Sequence, residues 1–214
     1  MRRALLLLTT LAATCAAGCE VEFTLSEGDV PRPQPAPTPR VVEVPVANLP
    51  VSLRVRNYKG GSCVHASTGS GFNWCNLLKL ALHWNSAYSG GESYNGLTSK
   101  LKRNGIPFYD TASGDVSVLE RATRERRMPT IFYYSNHSVS FCGFGDGAVR
   151  AGSRWGFVRN PQGKFAYLLD NNRTGAFIEI PRDEFIRRWR GYGGVAVVPT
   201  LGAPAPPLPF IARN

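Results

Sequence analysis

Residues 60–67 read GGSCVHAS, a cysteine set directly behind two glycines and a serine. Four roles are open to such a residue: a small buried hydrophobe, half of a disulfide, a metal ligand or a nucleophile. The glycines and the serine allow close approach of backbone and end where a helical turn begins. That puts Cys63 at a helix N-terminus, where the dipole and free N–H groups favour a thiolate. Zinc is an unpromising role, because the chain has only His65, His83 and His137 and neither a Cys-x-x-Cys nor a His-x-x-x-His spacing. Five cysteines are present. Setting aside Cys15 and Cys19 near the start leaves Cys63, Cys75 and Cys142, an odd number that leaves one thiol unpaired. A Cys75–Cys142 disulfide would make Cys63 that free thiol.

Working outward, STGSG (67–71) interrupts the helical pattern, and NWCNLLKLALHWNSAY (73–88) resumes it with Trp74, Leu77, Leu78, Ala81 and Leu82 on one face. LTSKLKRNGI (97–106) reads as a helix closed by Gly105, and GDVSVLERATRERRM (114–128) as an amphipathic helix capped by Asp115. IPFYDTA (106–112) is a strand. From residue 129 onward the pattern is strands: PTIFYYS, HSVSFCGF, RWGFVRN, FAYLLD, AFIEIP and GVAVVP, broken by one short helix, PRDEFIRRW (181–189). Helices first and an antiparallel sheet afterwards predict an α+β domain rather than alternating βαβ units.

The flanks are of another kind. MRRALLLLTTLAATCAAGC (1–19) has a charged start, an apolar middle and a small-residue end, the layout of a secretory leader too short to span a membrane. Its end, AAGC, resembles the bacterial lipobox, which implies cleavage after residue 18, a lipidated Cys19 and an exported, membrane-anchored protein. Residues 19–44 include PRPQPAPTPR (31–40), an extended tether. VVEVPVANLPVSLRVRNY (41–58) reads as one or two strands leading into a domain spanning 45–200, and residues 201–214 form a Pro-rich tail. The net charge of +10 falls to +8 once Arg2 and Arg3 leave with the leader. The basic residues cluster only in RATRERR (121–127) and RRWR (187–190), solvated helix faces, so the charge speaks for solubility and surface adhesion and not for nucleic acid.

A thiol nucleophile needs a base, a group to orient that base and donors for the oxyanion. His137 begins a strand in SNHSVSFCGF. Asp170 ends the strand FAYLLD, with Asn171 and Asn172 beside it; alternation puts Asp170 and Asn172 on one face and Asn171 on the other. Asp170 is the leading choice to hold His137, with Asn172 in reserve. Asn57, six residues before Cys63, offers an amide that could join the Cys63 N–H in an oxyanion hole. His65 is expected to face away at the surface or support the site, and His83 to sit in the core or at a helix end. Trp74, Trp84, Trp155 and Trp189 read as core or groove residues, and YSGGESY (88–94) as a cleft wall or a surface loop.

GGSCVHAS resembles the GSCWAFS stretch of papain-like cysteine peptidases, and the Cys…His…Asp order and helix-then-sheet layout match across about 57–198. YLLDNN…IEIPRDEFIRRW is similar to the end of the bacteriocin-processing, double-glycine peptidase branch. The resemblance implies a papain-like fold and a thiol hydrolase acting on peptide bonds, with Cys63, His137, Asp170 and Asn57 as its catalytic set and no cofactor or metal. This chain departs from the family in having Asn57 in place of a longer Gln. It also has a 33-residue interval from His137 to Asp170, into which the hairpin GDGAVRAGSRWGFVRNPQGK (145–164) is inserted. The same triad also suits acyl transfer of transglutaminase type, and the fold also suits a non-catalytic binding or structural lipoprotein. Substrate preference and oligomeric state are not legible in the residues.

Overall fold

The computed structural model describes residues 41–44, 49–151, 154–204 and 208–211. The leader, Cys19 and the 31–40 stretch lie outside the described residues. In chain order the elements are β1 (Val41–Val44), α1 (Cys63–Trp74), α2 (Leu78–Ala87), α3 (Tyr94–Arg103), β2 (Phe108–Thr111), α4 (Val116–Arg124), β3 (Thr130–Tyr134), β4 (His137–Ala151), β5 (Arg154–Arg159), β6 (Phe165–Leu169), β7 (Phe177–Pro181), α5 (Arg182–Gly191), β8 (Ala196–Pro199) and β9 (Leu208–Ile211). Seven strands form one antiparallel sheet in the order β2-β8-β3-β4-β6-β7, with β5 paired to β4. β1 pairs separately with β9, joining the segment read as tether to the segment read as tail. A 3-10 turn at Val51–Leu53 stands where a second entry strand was expected.

The pleat of β3 shows how the sheet divides the core. Ile131 and Tyr133 pack with Leu119 of α4 and with Phe185 and Trp189 of α5, while Phe132 between them packs with Val64, Trp84 and Leu97 on the α1–α3 side. Helices therefore cover both faces, and α1 is caught between α2 and the sheet with every residue but Asn73 buried. Polar partners let it sit there: Thr68 Oγ1 meets Thr130 Oγ1 at 2.9 Å, and Ser140 Oγ donates to the Ser67 carbonyl at 3.2 Å.

The expected break at 67–71 does not occur, and α1 runs through it unbroken. The small residues are there for close packing. A β-carbon at 71 would stand 2.9 Å from the Met128 carbonyl oxygen, and one at 69 would run into the Asn85 carboxamide. The break comes instead at Cys75–Leu77, where Asn76 adopts φ 58°. That turn re-phases the next helix, so Ala81 and Trp84 face the core while Leu82 is 73 % exposed and His83 lies at the surface. Gly105 (φ 64°) follows α3, and Asp115 caps α4 by accepting from the Ser117 N–H at 2.9 Å, as expected. Cys75 and Cys142 share one apolar cluster as separate free thiols, so the disulfide raised as one alternative is not formed and Cys75 packs as a small buried hydrophobe.

Candidate functional site

Ser62 precedes α1, and its Oγ accepts from the Gly90 N–H at 2.9 Å instead of capping its own helix. The first intrahelical bond runs from the Ala66 N–H to the Ser62 carbonyl, so the N–H groups of Cys63, Val64 and His65 lie ahead of the helix ladder. Gly60 and Gly61, at φ 43° and 70°, turn the chain into this start, and a β-carbon on Gly61 would already touch the Gly91 nitrogen at 3.7 Å. Burial pushes the Cys63 thiol up. A hydrogen bond to His137, backbone N–H groups of Ser138 and Val64 and the His137 charge outweigh it, so the net shift is downward. The other two thiols go the opposite way. Burial raises Cys75 and pushes Cys142 up to about 12.

His137 opens β4, where its pairing with Tyr134 carries an irregularity in the β3–β4 register. Its Nε2 lies 2.9 Å from Asp170 Oδ1, leaving Nδ1 as the nitrogen that faces the thiol. The Asp170 bond, then the Cys63 bond, hold the imidazole up at about 9 against its burial. Asp170 is held below the usual carboxylate range, first by His137 and, against burial, also by the Asn172 N–H at 2.8 Å. The Tyr134 ring stacks on His137, with centroids 5.9 Å apart and planes 26° from parallel.

The three neighbours at the end of β6 have three separate jobs. Asp170 meets His137. Asn171 is buried and points the other way, its Nδ2 donating to the carbonyls of Cys63 (3.1 Å) and Ser138 (2.7 Å) and to Ser67 Oγ (2.9 Å). It ties the nucleophile's helix to the histidine's strand. Asn172 accepts at 3.3 Å from Asn57 Nδ2, and the Asn57 N–H donates to the Asn171 carbonyl. Asn57 is thus joined to the 170–172 turn, and no hydrogen bond links it to Cys63. Tyr134 did not stand out in the sequence; Asn171 did, as one of three neighbours that could hold His137, but not as the tie between helix and strand. Alternation along the β6 end did separate Asn171 from its neighbours, but its partners lie on another element.

Cys63 and His137 open together into a cleft of about 450 Å³, walled by Gly61, Gly91 and Glu92 on one side and by Phe132, Tyr134 and Tyr192 on the other. YSGGESY therefore supplies a cleft wall. Lys100 engages Glu92 from α3. His65 does not enter this cleft. It is buried at 1 % exposure beneath Tyr88, which overturns the surface alternative of its two expected placements.

No family model matches the chain, and no curated protein matches it. Among solved structures, a Bacillus anthracis protein provisionally described as a C39-like peptidase superposes with a TM-score of 0.51 at 13 % identity, covering 76 % of this chain and 99 % of that one. The chain has an α+β, papain-like peptidase fold. At this identity the likeness speaks to the fold alone.

Proposed function

We propose that this chain is an exported cysteine peptidase using Cys63, His137 and Asp170. The placement of Cys63 and His137 in one cleft, with His137 Nε2 held 2.9 Å from Asp170, carries the reading, because Cys63 alone of the three described thiols is shifted downward and has a base beside it. The Cys63 thiolate attacks the carbonyl carbon of a peptide bond, and the resulting oxyanion takes the Cys63 N–H and an Asn57 hydrogen. His137, protonated, gives its proton to the leaving amine as the C–N bond breaks, leaving a thioester on Cys63. The imidazole then takes a proton from water, the hydroxyl adds to the thioester, and the C–S bond breaks; the carboxylic acid leaves and gives its proton to solvent, and the Cys63 thiolate and His137 imidazolium are restored. Asp170 holds Nε2–H throughout and favours the imidazolium. An amine in place of water would give acyl transfer by the same steps. Kinship with the bacteriocin-processing branch rests on YLLDNN…IEIPRDEFIRRW, and export with lipidation on the leader and Cys19.

Selective alkylation tests the reading. At pH 6, iodoacetamide should label Cys63 faster than Cys75 and Cys142, and His137→Ala should abolish the difference. Slow labelling of Cys63 that ignores the His137 substitution would overturn it. A peptide substrate offered with and without an added amine then separates hydrolysis from transfer.

A further inference from the structure

A second cavity, of about 360 Å³, lies on the other flank of the α1 N-terminus, in the lower part of the size range typical of small-ligand sites. The two cavities share no lining residue, and Asn57, assigned above as an oxyanion donor, stands between them with its side chain in this one. Ser62 borders this cavity, while Gly61 and Cys63 border the other. His65 forms part of its floor, and both of its ring nitrogens are buried without a hydrogen-bond partner. Burial, then the Lys100 charge, lower its pKa to about 4, so the ring is neutral and offers one donor and one acceptor. Its 3.8 Å approach to Glu92 is therefore no ion pair, and that carboxylate is already engaged by Lys100. Asn57 adds a second unmet group, since its Oδ1 is buried with no donor. Buried polar groups left unpaired in this way are costly and uncommon.

The charge in the lining is one-sided. Among the described residues, Arg54, Arg56 and Lys59 line the cavity and no carboxylate does. Arg54 donates to the Leu49 and Thr174 carbonyls, and Lys59 reaches only the Asn85 carbonyl. Arg56 lies over the Tyr58 ring at 5.5 Å with no acidic partner. At the mouth Tyr58 and Leu82 are 82 % and 73 % exposed, an apolar rim beside the cations.

We propose that this cavity binds the carboxyl-terminal end of a short peptide, its carboxylate taken by Arg56 and Lys59, an amide N–H by Asn57 Oδ1, and a further amide group by His65. A single peptide end supplies all three, an anion, a donor and an acceptor at adjacent positions. An anion without hydrogen, such as sulfate, supplies no donor for Asn57, a hydrogen phosphate has no amide group for the adjacent positions, and a neutral amide leaves the cations unmatched.

Calorimetric titration of the full chain tests this, with Cys63→Ala protein used so that binding is read without turnover and independently of the thiol-hydrolase reading. Acetyl-glycyl-glycine should bind saturably at one site, and its carboxyl-terminal amide should bind at least about tenfold more weakly, as loss of a charge-assisted contact implies. The surface variant Arg56→Gln/Lys59→Gln should weaken the acid by a similar factor. Absence of saturable binding, equal binding of acid and amide, or affinity indifferent to the double substitution would each overturn the proposal.

Discussion

Asn57 is one methylene shorter than the Gln of the papain-like peptidases that the sequence resembles, and its hydrogen bonds show what the shorter side chain reaches. Its Nδ2 carries two hydrogens, and one goes to Asn172 at 3.3 Å, which leaves one for a developing oxyanion. Asn57→Ala should then lower kcat by about 10²-fold, as loss of an oxyanion donor does, with KM little changed; Asn172→Ala should cost less than about tenfold. Steady-state kinetics on one peptide substrate decides, and full activity in Asn57→Ala would leave the Cys63 N–H as the sole donor. Tyr134 calls for a separate experiment. Its ring lies over His137, and its side chain borders both the cleft and the hollow beside Asp170, so it keeps water from the Asp170–His137 bond. Tyr134→Phe should keep kcat/KM within about twofold and Tyr134→Ala should lose about tenfold. Only the alanine should pull the alkaline limb of the pH–rate profile below the value near 9 set by His137. Cys63, His137 and Asp170 were legible in sequence because a helix start, a strand start and a strand end mark them. Asn171 was legible only as a neighbour of Asp170, since its tie to Ser138 and Cys63 lies 33 or more residues away, and Tyr134 was not legible, since its part is played against a neighbouring strand's ring.

At the scale of elements, α1 is where local propensity and tertiary packing part company. Two glycines and three hydroxyl residues within six positions argue against a helix, yet 67–72 is helical because the sheet and α2 approach too closely for larger side chains. Strand positions were easier to read, since alternation survives in one sequence, and β2, β3, β6, β7 and β8 lie within the segments assigned to them. The lost phase at Cys75–Leu77 misplaced Leu82 and His83, because a single residue at positive φ leaves little trace in periodicity. The sign of one substitution follows from the packing. In an open helix Gly→Ala gains about 1 kcal/mol. Gly71→Ala should instead destabilise by about 1–3 kcal/mol, because a methyl 2.9 Å from the Met128 carbonyl must push α1 off the strand layer. Urea unfolding measures it, and a gain in stability would show that the helix has room to shift.

Across the whole molecule, the thiol belongs to the helical layer while His137 and Asp170 belong to the sheet, so their proton equilibrium is coupled to the docking of one layer on the other. His137 is raised from 6.5 to about 9 on folding, so its contribution is complete below pH 6.5 and is lost as pH rises through 9. Cys63 is lowered from 9.0, so its contribution grows as pH rises from its folded value and is complete above 9. Over pH 6.5 to 9 the two slopes oppose one another. Asp170, depressed on folding, acts only in acid: its contribution is present above about 3.9 and lost as pH falls through its folded value. Wild-type stability should therefore fall less steeply between pH 6.5 and 9 than that of Cys63→Ala. Cys63→Ala removes the rising contribution but keeps the Asp170 bond, the larger cause of the His137 shift, so its stability should fall over the same window. Unfolding midpoints for both proteins at half-unit pH steps, with reductant present, give the comparison. Parallel profiles would mean that thiol and imidazole titrate independently and that no thiolate–imidazolium pair joins the two layers.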